Sequence, residues 1–221
     1  MAVGYLSAAE LDLLIVGAGP TGLAMAAEAA RFGMRYRIVD KAAHGAQHSQ
    51  ALVVQARTLE QFERYEIAQR AIECGRRLRR IRMYSDGRRM LEASFDEIPG
   101  SYPFVLFLPQ TQTERLLTEH VRSQGGRIER EVALRSFQTR EERVDCELVH
   151  ADGSMERTSC SYLIGADGAH SAVRSLLGMP FEGESVNFDF FLGDLRVQGD
   201  VPEDELSVHL RRGNLVHGPH G

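Results

Sequence analysis

A glycine-rich hexapeptide stands near the start of the chain, directly after an apolar run and directly before an alanine-rich one. Its residues are Gly17, Ala18, Gly19, Pro20, Thr21 and Gly22. In a G-x-G-x-x-G turn, the first glycine permits the tight turn, the second leaves room for a pyrophosphate, and the third lets the helix pack against the strand. The N-terminus of that helix offers unpaired N–H groups and a partial positive charge to phosphates. The hexapeptide therefore predicts a dinucleotide phosphate-binding loop.

An acidic residue, Asp40, follows Gly22 by 18 residues, at the end of the next apolar run. A carboxylate at the end of the second strand can accept hydrogen bonds from both ribose hydroxyls of an adenosine, and it would repel a 2′-phosphate. The spacing therefore favours FAD or NAD over NADP, and we assign Lys41, the next residue, to the same site. A plain turn or helix cap is the alternative for Asp40.

A second patterned segment, YLIGADGAHSAVR, covers residues 162–174. It resembles the Asp-Gly fingerprint of the class A flavoprotein monooxygenases, the family that includes para-hydroxybenzoate hydroxylase and phenol hydroxylase. The resemblance implies that the segment lies against the pyrophosphate and ribose of FAD and takes part in NAD(P)H use. We therefore assign Asp167, Gly168 and Arg174 to the cofactor site. In the alternative interpretation, Asp167 only caps a helix and Arg174 lies at the surface.

Two shorter stretches resemble the same family. Residues 56–60, ARTLE, are similar to a helix of the phenol and polyketide hydroxylase branch that lies near the flavin, which implies a cofactor contact for Arg57. Gln50 stands where family members usually carry an arginine. Pro109-Gln110 followed by Glu114 resembles a segment whose glutamine hydrogen-bonds near FAD, so Gln110 is assigned to the site, with a helix cap as its alternative role.

The resemblance implies an FAD-dependent monooxygenase in which NADH or NADPH reduces the flavin and oxygen supplies a hydroxyl group to a phenolic or other small aromatic substrate. No catalytic residue is assigned, because the cofactor carries the chemistry and the protein positions it. The family's downstream Gly-Asp-Ala-x-His segment is missing, and Gly193-Asp194 is instead predicted to begin a strand. The sequence therefore predicts a truncated hydroxylase that binds FAD weakly and is inactive or unstable as a monooxygenase.

Other functions remain open at this point. The chain could be a non-catalytic FAD- or nucleotide-binding remnant, or another flavin-dependent oxidoreductase such as a reductase or halogenase. A halogenase would carry a Trp-x-Trp-x-Ile-Pro segment, whereas this chain has no tryptophan. A dehydrogenase that uses NAD without flavin is disfavoured, because the Asp-Gly segment has no role there.

The composition is that of a globular protein, with 221 residues, 43% hydrophobic and 26% charged. A net charge of -5 provides no broad attraction to nucleic acid or anionic membranes. The start lacks a signal peptide pattern, and no apolar run reaches the ~20 residues of a membrane span. Three separated cysteines and the loop histidines His44 and His48 predict neither disulfides nor a metal site. We expect a cytoplasmic protein, and a homo-oligomer is compatible with the sequence.

The pattern of elements predicts an α/β fold: a Rossmann-like FAD-binding domain with a GxGxxG βαβ unit, an antiparallel β meander and the start of a mixed-sheet substrate domain. Strands are predicted over 11–16, 36–39, 104–108, 127–137, 143–149, 155–159 and 162–164, with strand-like sequence over 181–208 and a hairpin over 78–95 that turns at Asp86-Gly87. Helices are predicted over 20–32, 51–65, 111–123 and 171–177. Residues 1–78 and 100–180 are assigned to the FAD-binding domain, and residues 79–99 and 181–221 to an incomplete substrate-binding domain.

Overall fold

The computed structural model describes residues 11–46, 52–183, 202 and 204–210, and the backbone of 215–217. The predicted strand at Gly193-Asp194 lies outside these residues. The chain has a mixed α/β fold whose elements are, in order, β1 (Leu11–Val16), α1 (Pro20–Arg31), β2 (Tyr36–Asp40), β3 (Val53–Val54), α2 (Ala56–Arg64), α3 (Ala68–Cys74), β4 (Arg76–Leu78), β5 (Arg80–Ser85), β6 (Arg88–Ser94), β7 (Val105–Phe107), α4 (Gln110–Ser123), β8 (Ile128–Arg130), β9 (Val132–Thr139), β10 (Val144–His150), β11 (Met155–Gly165), α5 (Ala172–Leu176), β12 (Glu205–Leu210) and β13 (Leu215–His217).

The described residues divide into two compact units. The first comprises 11–46 and 114–183, and the second comprises 52–113 together with the described residues after 184. The division follows how densely the residues contact one another, and it places residues 52–78 and 100–113 in the second unit. The assignment of those residues to an FAD-binding domain concerns function and stays a prediction.

The first unit is built on a six-stranded sheet with the order β8-β2-β1-β11-β10-β9. The predicted strand over 11–16 is confirmed, and its apolar run is buried at the centre of the sheet, where Leu14 and Ile15 are fully enclosed. The predicted helix that follows is also confirmed. It ends beside Gly33, whose φ of +66° is the left-handed conformation that glycine adopts readily at helix C-termini.

Strand β11 is longer than predicted. The sequence suggests two strands, over 155–159 and 162–164, but the structure has one strand of 11 residues. Its first half pairs antiparallel with β10 and its second half pairs parallel with β1, and Cys160 takes part in both, opposite Val144 on one side and Leu11 on the other. The strand therefore joins the meander to the parallel part of the sheet.

The prediction of one strand over residues 127–137 is wrong, because the structure has two strands in this range. The break falls at Glu131, which has a φ of +59°, and the two strands have different partners. Strand β8 pairs parallel with β2, whereas β9 pairs antiparallel with β10. The side chains of β9 and β10 share one core with those of the parallel strands and α5; its buried members are Leu14, Val16, Val39, Val132, Leu134, Cys146, Leu148, Cys160 and Val173.

The second unit contains a three-stranded sheet, β3-β7-β4, and a four-stranded sheet, β13-β12-β5-β6. The predicted helix over 51–65 begins only at Ala56, because Val53 and Val54 pair with β7. The hairpin of β5 and β6 is confirmed, with Asp86 and Gly87 both at positive φ in its turn. Of the strand-like stretch over 181–208, residues 181–183 have no regular structure, β12 begins at Glu205, and 184–201 and 203 lie outside the described residues. None of the described helices is long and apolar enough to cross a membrane.

Candidate nucleotide-binding site

The glycine hexapeptide connects β1 to α1 and lies against the Asp-Gly segment. Gly17 has a φ of +104°, and its N–H donates to the Val39 carbonyl at 2.8 Å. The Ala166 N–H donates to the Val16 carbonyl at 2.7 Å. A Cβ at Gly17 would clash with the Ala166 carbonyl oxygen, so this position requires glycine. The two sequence patterns therefore meet in the first unit.

The other two glycines of the hexapeptide differ sharply in their surroundings. A Cβ at Gly22 would clash with the Gly17 carbonyl oxygen, since the first turn of α1 packs tightly on the loop. A Cβ at Gly19 would meet no described atom within 4 Å. Because Gly19 also has an ordinary φ of -79°, neither packing nor backbone conformation explains its missing side chain. The open space at Gly19 is what the close approach of a ligand would need.

The first turn of α1 carries neither a side-chain cap nor an acidic residue. Gly19 is its N-cap and makes no side-chain cap, Pro20 follows it in the first turn, and that turn contains no acidic residue. The first N–H groups of a helix carry a partial positive charge that favours anions. The open face of Gly19 thus lies beside a positive helix end.

Asp40 ends β2 and is tied to the hexapeptide. Its Oδ2 accepts a hydrogen bond from the Ala18 N–H at 2.6 Å, and its Oδ1 accepts one from the Ala42 N–H at 2.8 Å. The side chain is only 15% exposed. Since each carboxylate oxygen has two acceptor positions, these bonds leave capacity for hydroxyl donors. Lys41 is exposed beside it.

Arg130 is a site residue that the sequence analysis missed. It ends β8, and its Nη1 lies 3.3 Å from the Oδ2 of Asp40. The residue lies within the range predicted as one antiparallel strand, which concealed its place at the carboxyl end of a parallel strand. The available signal was the helix followed by Gly125-Gly126 and a short strand, which is the pattern of a further βαβ crossover.

The loop after β2 is held by a buried glutamate. Glu114, on α4, is 7% exposed, and its Oε2 accepts the Ala46 N–H at 2.9 Å. The same oxygen lies 3.0 Å from the position of a Cβ on Gly45. Glu114 was noted in the sequence only as part of a family pattern, and the structure gives it a specific contact with this loop.

The Asp-Gly segment forms the N-terminus of α5. Asp167 Oδ2 accepts the Ala172 N–H at 2.6 Å, and Oδ1 accepts the Ser171 hydroxyl at 2.6 Å. Ser171 Oγ in turn accepts the Arg174 N–H at 3.0 Å. Ser171 is the N-cap of α5, and Asp167 supports this cap by accepting the first N–H of the helix, in line with its alternative role; its contact with a cofactor stays a prediction.

The remaining segment residues lie close by. Gly168 adopts a φ of +75° with open space around it. The guanidinium carbon of half-buried Arg174 lies 4.3 Å from the centre of the Phe181 ring, a cation–π contact.

Two assigned residues belong to the second unit. Arg57 lies on α2, with a side chain that is 76% exposed and paired with Glu60 at 2.5 Å. Gln110 is the first residue of α4. The structure thus brings together the hexapeptide, Asp40 and Asp167 in the first unit. Arg57 and Gln110 belong to the second unit. The described residues include no cluster of three or more metal-ligating side chains, and His48 lies outside them.

Comparison with known proteins identifies similar chains. The FAD binding domain family matches residues 10–212. The 6-methylpretetramide 4-monooxygenase of Streptomyces rimosus is 33% identical over 211 residues, which cover 94% of this chain and 38% of that protein. The pentachlorophenol 4-monooxygenase of Sphingobium chlorophenolicum is 34% identical over 180 residues, 80% of this chain and 33% of that one.

A solved structure agrees. The flavin-dependent monooxygenase PieE, in complex with FAD and substrate, is similar with a TM-score of 0.70 and 26% identity, over 80% of this chain and 33% of that one. The chain thus spans 33% to 38% of the length of these three proteins.

Proposed function

This chain belongs to the family of FAD-dependent aromatic hydroxylases, whose N-terminal portion it matches, and we propose that its first unit binds the adenosine diphosphate half of FAD. The observation that carries the proposal is the contrast among the three loop glycines. Gly17 and Gly22 are required by packing, whereas Gly19 opens onto free space at the positive end of α1. Such an opening fits a pyrophosphate.

The β1-α1-β2 segment is proposed to act as a Rossmann-type βαβ unit. Gly17 and Ala18 donate their N–H groups to Val39 and Asp40, so the N–H groups of Gly19, Thr21 and Gly22 at the start of α1 would hold the pyrophosphate. Asp40, with Lys41 beside it, would accept the hydroxyls of the adenosine ribose. Asp167, Gly168 and Arg174 would face the same end of the cofactor, because Ala166 packs on Gly17. Arg57 and Gln110 are proposed as contacts nearer the flavin.

For the activity of the whole protein we propose NAD(P)H- and oxygen-dependent hydroxylation of a phenolic or related aromatic compound. The names of the two relatives, a pentachlorophenol and a 6-methylpretetramide monooxygenase, support this class. Bound FAD supplies the redox chemistry. The residues of this chain would bind and orient it, with the N–H groups at the start of α1 toward its phosphates and Asp40 toward a ribose.

The sheet of β12, β5 and β6 is proposed to belong to the substrate-binding domain. Its described side chains are polar on one face, where Arg82 Nη1 pairs with the buried carboxylate of Glu205 at 2.6 Å. Tyr84 and His209 stack there with ring centres 4.8 Å apart.

FAD titration of the purified chain tests the binding proposal. We expect FAD to bind and FMN, which lacks the adenosine half, to bind at least about tenfold more weakly. Gly19→Ala is the decisive variant, because its methyl group meets no atom of the described residues within 4 Å but would occupy the ligand's space. It should lower FAD affinity about tenfold or more, whereas the change at the N-cap of α1 should lower the free energy of unfolding by only about 1 kcal/mol or less.

Two outcomes would refute the proposal: no FAD binding by the wild-type chain, or equal FAD affinity in Gly19→Ala. Substrate-dependent oxidation of NADPH or NADH by FAD-loaded protein would separate a catalytic role from nucleotide binding alone.

A further inference from the structure

We propose that Arg130 is a positioning residue for the adenosine ribose: it holds the Asp40 carboxylate against the glycine loop, and their pairing decides whether the site accepts a 2′-hydroxyl or a 2′-phosphate. This inference rests on the proposed binding of the ADP half of FAD. It concerns a residue outside the glycine and Asp-Gly patterns.

The guanidinium of Arg130 contacts both residues that the hydrogen bond between Ala18 and Asp40 joins. Asp40 Oδ2 accepts the Ala18 N–H at 2.6 Å, and Arg130 Nη1 lies 3.3 Å from that oxygen. Arg130 Nη2 lies 3.4 Å from the Ala18 carbonyl oxygen. Arg130 therefore contacts the acid and the loop residue that the acid holds. A planar two-point contact of this kind fixes orientation as well as charge.

The second support is that the loop after Asp40 holds Arg130 in place. Arg130 Nη1 donates to the His44 carbonyl at 3.4 Å, and the next residue, Glu131, donates its N–H to the Ala42 carbonyl at 3.3 Å. Glu114 fastens the far end of this loop through Ala46. The Arg130 side chain is consequently only 22% exposed. Its contacts with the carbonyls of His44 and Ala18 do not depend on the charge of Asp40.

The third support is the balance of charge beside the ribose site. The carboxylate of Asp40 and the guanidinium of Arg130 are both mostly enclosed, so each largely cancels the field of the other. A 2′-phosphate would meet the carboxylate and be repelled. If the carboxylate is made neutral, the same phosphate meets a guanidinium whose charge Asp40 no longer balances, and a guanidinium is a strong phosphate partner. Arg130 thus carries a positive charge that could bind a 2′-phosphate if Asp40 did not balance it.

Two small probes test the inference without any catalytic assay: adenosine 5′-diphosphate and adenosine 2′,5′-bisphosphate, titrated calorimetrically into the 221-residue chain. We expect the wild type to prefer the 5′-diphosphate, and Asp40→Asn to shift that preference at least about tenfold toward the 2′-phosphate. Adding Arg130→Gln to Asp40→Asn should abolish the shift. A merely structural role for Arg130 would not produce this dependence on Asp40.

Single substitutions of Arg130 measure how much this residue contributes to binding of the 5′-diphosphate. Arg130→Gln should weaken binding of the 5′-diphosphate about five- to twentyfold, and Arg130→Lys should recover part of the loss, because it keeps the charge but not the two-point contact. Arg143→Gln is the matched control, since Arg143 forms an exposed pair with Asp145 at 2.8 Å in the turn between β9 and β10. It should leave both affinities unchanged.

The outcomes separate the two proposals. If the wild type binds neither FAD nor the 5′-diphosphate, the proposed function fails. If it binds both, but the probe preference of Asp40→Asn is unchanged or persists without Arg130, the inference about Arg130 fails alone. Should Arg130→Gln not fold, Arg130→Lys decides: unaltered 5′-diphosphate affinity would contradict the positioning role.

Discussion

Gly17 lies directly against the backbone of Ala166, so closely that a methyl group on Gly17 would overlap the Ala166 carbonyl oxygen. Gly17→Ala combines this overlap with a positive φ and should lower the free energy of unfolding of the chain by about 3 kcal/mol or more. Gly33→Ala is its control, because Gly33 has a φ of +66° with no described atom within 4 Å, and it should cost only about 1 kcal/mol. Urea unfolding monitors both. Equal losses would show that the packing on Ala166 is unimportant.

Asp167 is expected to contribute to stability through its cap of α5. Asp167→Ala removes the acceptors for the Ala172 N–H and the Ser171 hydroxyl and should cost about 1–2 kcal/mol. Asp167→Asn keeps an acceptor oxygen and should cost less than about 1 kcal/mol. Thermal unfolding compares the two variants. Wild-type stability in Asp167→Ala would contradict the capping role, and FAD titration of Asp167→Asn tests the separate cofactor role.

Glu156 should make the chain sensitive to acid. The guanidinium of Arg37 lies 2.5 Å from Glu156 and holds the pKa of this carboxyl below its usual value, although its partial burial acts in the opposite direction. A lowered pKa in the folded state stabilises the chain above the unfolded value of about 4.3, and this stabilisation is lost as the pH falls further. Glu156→Gln should cost about 1–2 kcal/mol at pH 7 and reduce the loss of stability between about pH 5 and 3.

The measurement for Glu156 is the urea midpoint across that pH range. Glu142→Gln, in the exposed turn between β9 and β10, is the control and should leave the profile unchanged. A profile of Glu156→Gln that parallels the wild type would remove Glu156 from the acid response.

Tyr102 should lose its proton at an unusually high pH. Burial and the hydrogen bond that its hydroxyl donates to Glu63 at 2.7 Å raise the pKa of Tyr102 to about 12. The resulting stabilisation is present below the ordinary tyrosine value of about 10 and is lost as the pH rises through 12. Glu63→Gln should lower this pKa toward 10. Absorbance titration at alkaline pH, with Tyr102→Phe to identify the signal, measures it. If the pKa of Tyr102 is the same in Glu63→Gln as in the wild type, Glu63 does not raise it.

The elements that could be predicted from sequence are those whose causes are local. The apolar run of β1, the Gly33 end of α1 and the Asp86-Gly87 turn each contain the residues that determine them. Val53 and Val54 form a strand instead of a helix because they pair with Leu106 and Phe107, which lie far away in the chain. A local pattern carries no information on such a partner.

The same distinction holds for the site. Gly17 and Asp40 could be identified because a spaced pattern marks them, and the structure links Asp40 to the loop through Ala18. Arg130 could not be identified in this way, since its importance depends on contacts with Asp40 and Ala18 that only the parallel pairing of β8 with β2 creates. The carbonyl of Ala166 that makes Gly17 obligatory is equally remote in sequence.

The double pairing of β11 has a consequence for how the molecule is made. Strand β1 leaves the ribosome well before its second neighbour, β11, which follows all the other described strands of the first unit. Until Gly165 and Ala166 emerge, β1 keeps an open apolar edge and the glycine loop lacks the surface on which Gly17 rests. Nascent chains that stop before this point should therefore depend on chaperones, and the nucleotide site should form only after β11 has been synthesised.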